Sequence, residues 1–208
     1  ILIMIKSIVF DLGGVLIDWN PMYVYENYFE SKERQDTFFN EVATFEWNEE
    51  QDAGKPLAQA TEERIELFPE WDQALRDFYG RWEEMLGDRI HGTVEVFRKL
   101  KDLDLFKLYA LSNWSAETFP IALNKFDFLH WFDGRLISGE EGMAKPNPDI
   151  WHLLRDRYGL EPSETLFIDD NKRNAEAARS LGYHVVHFIS LEHLEESLKD
   201  YDVNISNG

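Results

Sequence analysis

The sequence predicts an α/β fold, a parallel sheet with helices on both faces, interrupted by a helical insert. Three observations point there. From Thr93 onward, short β-rich runs alternate with amphipathic helical stretches. The apolar run at Lys6–Asp11 has the same strand character. Between Leu16 and Gly92 the strand pattern disappears and helical spacing takes over.

Each element has its own signal. After Lys6–Asp11, strands are expected at Lys107–Ser112, Gly134–Ser138, Thr165–Asp169 and His184–Phe188. Helical patterns fall between them at 93–102, 116–125, 148–158, 172–181 and 191–199. The insert shows helical spacing near 21–30, 34–46, 57–67 and 71–86, punctuated by Gly54-Lys55-Pro56 and by Pro69. The expected division is therefore a core of 1–15 and 93–208, with a helical domain at 16–92. The polar tail after Asp200 is expected to fray. Met4 reads as a natural start preceded by three extra residues.

Charge and composition narrow the function. The 208 residues hold 40 acidic and 21 basic side chains, a net charge of −19. Residues 16–92 contribute −12 of this, together with 14 of the 30 aromatic residues. Such a chain repels phosphate backbones and anionic membrane surfaces, so neither nucleic acid nor membrane is an expected partner. With no cysteine, a disulfide framework, a zinc–thiolate site and a cysteine nucleophile are all excluded. The same absence fits a reducing compartment, and the expected location is cytoplasmic. No apolar run approaches the ~18 residues of a membrane span. The six histidines share no ligand spacing and read as structural or solvated.

Four strand ends carry the chemistry. Asp11 closes the first strand and leads into Leu12-Gly13-Gly14-Val15, which places a carboxylate at the sheet edge where open α/β folds bind ligands. The glycines let backbone approach an anion closely. Alone, Asp11 is equally an acid opening a glycine-rich turn. Ser112 and Asn113 end the second strand with a hydroxyl and an amide suited to phosphate oxygens, or to capping the next helix. Lys145 precedes Pro146-Asn147-Pro148, where Pro148 suits a helix start but no lysine is required. An ammonium there would neutralise an anion beside Asp11; a solvated surface lysine is the alternative. Asp169 and Asp170 end the fourth strand as adjacent carboxylates, which repel unless a cation or a proton relieves them. Hard oxygen ligands of this kind suit Mg²⁺.

Taken together, Asp, Ser, Lys and Asp-Asp at successive strand ends resemble the haloacid dehalogenase-like superfamily of hydrolases, over essentially the whole chain. The resemblance implies a doubly wound sheet with core strands in the order 5-4-1-2-3 and a helical cap between the first and second motifs. It implies that Asp11 is a nucleophile forming an aspartyl-phosphate. Mg²⁺ would be held by Asp11, the Gly13 carbonyl and Asp170, with Asp169 either supporting those ligands from behind or reaching the ion through water. Ser112 would bind the transferred phosphoryl with Asn113 beside it, and Lys145 would stabilise developing charge. Asn174 stands where many members have a further acid.

One departure matters. Most phosphatases of the superfamily carry a second Asp two residues after the nucleophile, and here that position is Gly13. General acid–base help is worth ~10²–10⁴ in rate. Asp18, a cap residue or water would have to substitute; the leaving group would have to need little help; or the protein is slow or inactive. The Asp-Leu-Gly-Gly-Val form resembles a subgroup that includes phosphatases of glucose 1-phosphate. Dehalogenation of 2-haloacids also proceeds without the second Asp, but the Asp169–Asp170 pair argues for phosphate. A weakly active regulatory or binding protein is the remaining alternative.

The stretch Glu49–Pro56 resembles the acidic-x-Gly turn that begins the family's specificity region. Lys55 within it, Gly14, and the aromatic residues Trp19, Trp47 and Trp114 are candidate substrate contacts, with Asn20 beside Trp19. Most other cap aromatics are expected in the helical core. The expected substrate is a small phosphorylated metabolite, and the chain is expected to be a monomer or homodimer.

Overall fold

In the computed structural model, residues 4–205 are described. Residues 1–3, expected to precede a start at Met4, lie outside that range, as do 206–208.

The strand β1 (Ser7–Phe10) is buried along its whole length. The chain then forms a short antiparallel ribbon, β2 (Ile17–Trp19) with β3 (Leu86–Arg89), and the helical segment lies between these two strands. Four further strands follow: β4 (Lys107–Ser112), β5 (Gly134–Ile137), β6 (Thr165–Asp169) and β7 (His184–His187). They join β1 in one sheet, ordered β5-β4-β1-β6-β7, with every pairing parallel. Counted as core strands along the chain, this is the expected 5-4-1-2-3.

The two-residue period of a strand explains the layers. Ile8 and Phe10 point to one face, where they pack with Val94, Phe97 and Leu100 of the helix His91–Leu103. Leu194 and Leu198 of the helix Leu191–Asp200 join the same cluster. Val9, Leu111 and Phe167 point to the other face, against Ile150, Trp151 and Leu154 of Pro148–Tyr158 and Ala175 and Ala178 of Lys172–Ser180. A parallel sheet covered on both faces reads as near-continuous apolar runs, as these strands do.

The helical segment has a separate core. Tyr25, Phe38, Trp71, Leu75 and Phe78 form a cluster built from residues 24–85 alone. Helices Phe45–Asp52, Leu57–Leu67 and Asp72–Gly80 contribute to it, with a π-helical turn at Phe38–Val42 that follows the helix Lys32–Thr37. The expected single helix at 34–46 is thus two helices, with this wide turn and a break at Ala43–Thr44 between them. Trp19 and Tyr79 pack against both this cluster and the first sheet face.

Two further expectations are corrected. Strands were not expected within 16–92, yet β2 and β3 lie there. At three and four residues they are too short to show a period, and each exists by pairing with the other. The tail is held rather than frayed as far as Ile205: Val203 donates its N–H to Leu198 O at 2.9 Å, and both Val203 and Ile205 are buried in the first cluster. Among the described residues, no helix is long and apolar enough to cross a membrane.

Candidate active site

Parallel register carries the strand-end residues to one edge of the sheet. Phe10 is level with Ile168 and Ala110, so Asp11 emerges between the ends of β6 and β4. Its N–H donates to Ile168 O at 2.8 Å, and its Oδ1 accepts from Leu12 N–H at 2.7 Å. Carboxylate oxygens of Asp11, Asp169 and Asp170 lie within 4.8 Å of one another.

Lys145 reaches this group from the loop after β5. Its side chain is fully buried, and Nζ lies 2.6 Å from Asp169 Oδ2, 3.2 Å from Asp11 Oδ2 and 2.9 Å from Leu111 O. A buried ammonium is stable only when paired in this way. Burial works against its charge, but Asp11 and Asp169 outweigh that and hold its pKa above the ordinary lysine value. Burial pushes the Asp11 carboxyl up to about 7; Lys145 pulls it down, and Asp169 and Asp170 push it up again. Asp170 is raised by burial and by Asp169.

Asp169 is committed within the protein. Besides Lys145, it accepts from Asn171 N–H at 2.8 Å and from Asn174 Nδ2 at 3.2 and 3.3 Å. Asn174 thus steadies Asp169 from the helix that follows it. Three hard oxygen donors gathered this closely are a set that suits a divalent cation, with Asp11 and Asp170 facing the open space.

That space is a cavity of about 450 Å³ between the sheet edge and the helical segment. Asp11, Gly13, Gly14, Ser112 and Asp170 line its floor. Gly14 has φ +74°, and a Cβ there would come 2.3 Å from Asp170 Oδ2, so only glycine fits. Trp19 and Trp114 line the wall, and the indole Nε1 of each is buried without a hydrogen-bond partner among the described residues.

Four other candidates sit differently. Lys55 does not line the cavity: its ammonium pairs at 2.8 Å with both Glu50 and Glu63, a stable arrangement on this acidic surface. Trp47 is buried in the helical core against Phe78 and Tyr79 rather than at the entrance. Asn113 lines the cavity, but its carboxamide is taken up by the Lys145 backbone, accepting from Lys145 N–H and donating to Lys145 O, each at 2.8 Å. Asp18 bonds Tyr23 and is not part of the lining.

The helical segment adds Phe45, Asn48, Glu49, Asp52, Tyr79 and Trp82 to the lining. Of these, only Glu49 and Asp52 had a sequence signal, in the acidic-x-Gly turn. Gly54 of that turn has φ +103°, and a Cβ there would lie 3.2 Å from Gly142 Cα, so the turn docks closely on the loop after β5.

Residues 5–182 match the model of the haloacid dehalogenase-like hydrolases. The chain belongs to that family.

This haloacid dehalogenase-like hydrolase is 25% identical to a phosphorylated carbohydrates phosphatase of Thermotoga maritima, over 89% of the chain and 87% of that protein. It is 23% identical to a sesquiterpene phosphatase of Aspergillus oryzae, over 85% and 86%. Three other curated relatives match over only 8%, 17% and 47% of their own length. Among solved structures, a HAD family enzyme of Bacteroides thetaiotaomicron in complex with magnesium and inorganic phosphate superposes with a TM-score of 0.68. That match has 25% identity and covers 91% of this chain and 98% of that one.

Proposed function

We propose that this hydrolase cleaves a small phosphomonoester, the phosphate of an uncharged sugar, in a Mg²⁺-dependent reaction with Asp11 as nucleophile. The observation that carries this reading is the convergence of Asp11, Asp170 and Lys145 beneath one cavity. The relatives named for phosphatase activity, and the neighbour crystallised with magnesium and phosphate, support the same chemistry.

Asp11, Asp170 and the Gly13 carbonyl would hold Mg²⁺. A cation held there would neutralise phosphoryl charge and favour the ionised form of Asp11. Asp11 attacks phosphorus, the ester P–O bond breaks, and an aspartyl-phosphate forms on Asp11. Water then attacks that phosphorus, phosphate departs, and the carboxylate is regenerated. Lys145, held by Asp169 and Asn113, stabilises charge building on the phosphoryl oxygens, and the Ser112 hydroxyl donates to them. Residues 16–92 act as the cap that closes the site from water.

The cavity's charge supports the choice of substrate. Its lining carries the carboxylates of Glu49 and Asp52 and the aromatic faces of Phe45, Tyr79 and Trp82, with no Lys or Arg among the described lining residues. A second anionic group on the leaving side would find no counter-charge there, whereas a hydroxylated ring finds acceptors and flat apolar faces. Release of inorganic phosphate from p-nitrophenyl phosphate and a panel of sugar phosphates, with and without chelator, tests the reading. Turnover that is lost with chelator is expected. No turnover of any of these at any Mg²⁺ concentration overturns it.

A further inference from the structure

We infer that Asp52, from the helical segment, is the proton donor that supplies what Gly13 lacks, protonating the leaving-group oxygen and then activating water. This rests on the phosphatase reading above.

Four acids line the cavity: Asp11, Glu49, Asp52 and Asp170. Asp11 and Asp170 belong to the proposed nucleophile and cation site. The Glu49 carboxylate is engaged by the Arg173 guanidinium. That leaves Asp52, which the helical segment contributes to the lining. A phosphoryl group on Asp11 would leave the remainder of the 450 Å³ to the alcohol, and Asp52 is part of that lining.

Asp52 is held for such work. The backbone N–H of Ser115, three residues past Ser112, faces its carboxylate and favours the ionised form. Asn48 Nδ2 donates to Oδ2 at 3.2 Å, and Asn48 Oδ1 in turn accepts from Tyr79 OH at 3.0 Å. Its backbone carbonyl accepts from the Ser138 hydroxyl, which ties the residue to the end of β5. Burial raises the carboxyl to about 7; the Ser115 N–H lowers it and Glu49 adds to the rise. Among ionisable groups, Glu49 on the same helix acts on Asp52 directly, while Asp52, Glu117 after β4 and Glu50 all act on Tyr79 of Asp72–Gly80. A donor that must give a proton in one step and take one in the next works best near the operating pH. The position it replaces is empty: a Cβ at Gly13 would meet nothing within 4 Å.

The protons balance. As Asp11 bonds to phosphorus and the ester bond breaks, the Asp52 proton passes to the departing oxygen, releasing a neutral alcohol. In the second step water loses a proton to the Asp52 carboxylate as its oxygen bonds to phosphorus and the Asp11–phosphorus bond breaks.

The test compares wild type and Asp52→Asn by kcat/KM, which reports the first step. The substrates are p-nitrophenyl phosphate, whose leaving group needs no proton, and the sugar phosphate the wild type hydrolyses fastest. We expect the sugar phosphate value to fall by ~10²-fold or more, and that for p-nitrophenyl phosphate by less than about threefold. Equal losses on both substrates would mark a purely structural latch and overturn the proposal, as would no loss on the sugar phosphate. Wild-type turnover of neither substrate fails the phosphatase reading instead. If the variant does not fold, wild type alone decides on a series of aryl and alkyl phosphates. A shallow dependence on leaving-group pKa supports a proton donor, and a steep decline overturns it.

Discussion

Asn113 grips Lys145 by both of its backbone polar groups. The carboxamide oxygen accepts from Lys145 N–H and the amide nitrogen donates to Lys145 O, each at 2.8 Å. One side chain at the end of β4 therefore sets where the ammonium stands between Asp11 and Asp169. The Asn113→Ala variant loses two part-buried hydrogen bonds, for about 1–3 kcal/mol in total. Displacing a positioned group by ~1 Å costs on the order of 10²-fold in rate. A urea unfolding curve and kcat measured together check this; unchanged kcat would show that Lys145 is placed by its own ion pairs alone.

Cation binding has a readout independent of turnover. A ligand that binds only the folded chain stabilises it by about 2.7 kcal/mol at a hundredfold excess over Kd. The melting temperature of wild type is expected to rise with MgCl₂, and that of Asp170→Asn to rise far less. Equal shifts in the two proteins would remove Asp170 from the cation site.

The adjacent glycines have opposite tolerances. Gly14 has positive φ and sits against Asp170 Oδ2, so Gly14→Ala is expected to destabilise by roughly 1–3 kcal/mol and to lower activity. At Gly13 a Cβ meets open space, so Gly13→Ala should stay within about 0.5 kcal/mol of wild type. Thermal denaturation of both variants checks the contrast, and similar losses at the two positions would contradict it.

Asp52 also ties stability to pH. Its carboxyl is raised from 3.8 to about 7 in the folded chain. Between those values the folded state binds a proton the unfolded state has lost, so this group's contribution to stability falls as pH rises from about 4 to about 7. Asp52→Asn cannot titrate there. The stability of the variant relative to wild type should therefore climb across that window, by about 1–2 kcal/mol once access of cavity water is allowed for. Asp11 titrates in both proteins and cancels. Denaturant curves at pH 4.5 and 8 give the number, and a flat difference would mean Asp52 is ionised throughout.

Much of this molecule is written in short stretches of chain. The apolar runs of β1, β4 and β6 show their burial residue by residue, since both faces are covered. Asp11, Ser112 and Asp169 are legible because a parallel sheet brings every strand's C-terminal end to one edge, so position in a strand is also position in the site. Lys55 and Trp47 were not separable from functional residues in this way. A lysine beside glycine and a tryptophan on a helix have the same local pattern whether they face substrate, a glutamate pair or a core.

The pattern of residues alone determined the strand set, the helical insert and the gathering of carboxylates with a lysine. These depend on periodicity and strand ends, which are properties of neighbours in sequence. The β2–β3 ribbon, the double grip of Asn113 on Lys145 and the raised carboxyl of Asp52 depend on residues far apart in the chain. Pairing, desolvation and a carboxyl's proton affinity are sums over everything packed around a group. For Asp52, those neighbours come from the helical segment and from the loop after β4, and only folding brings them together.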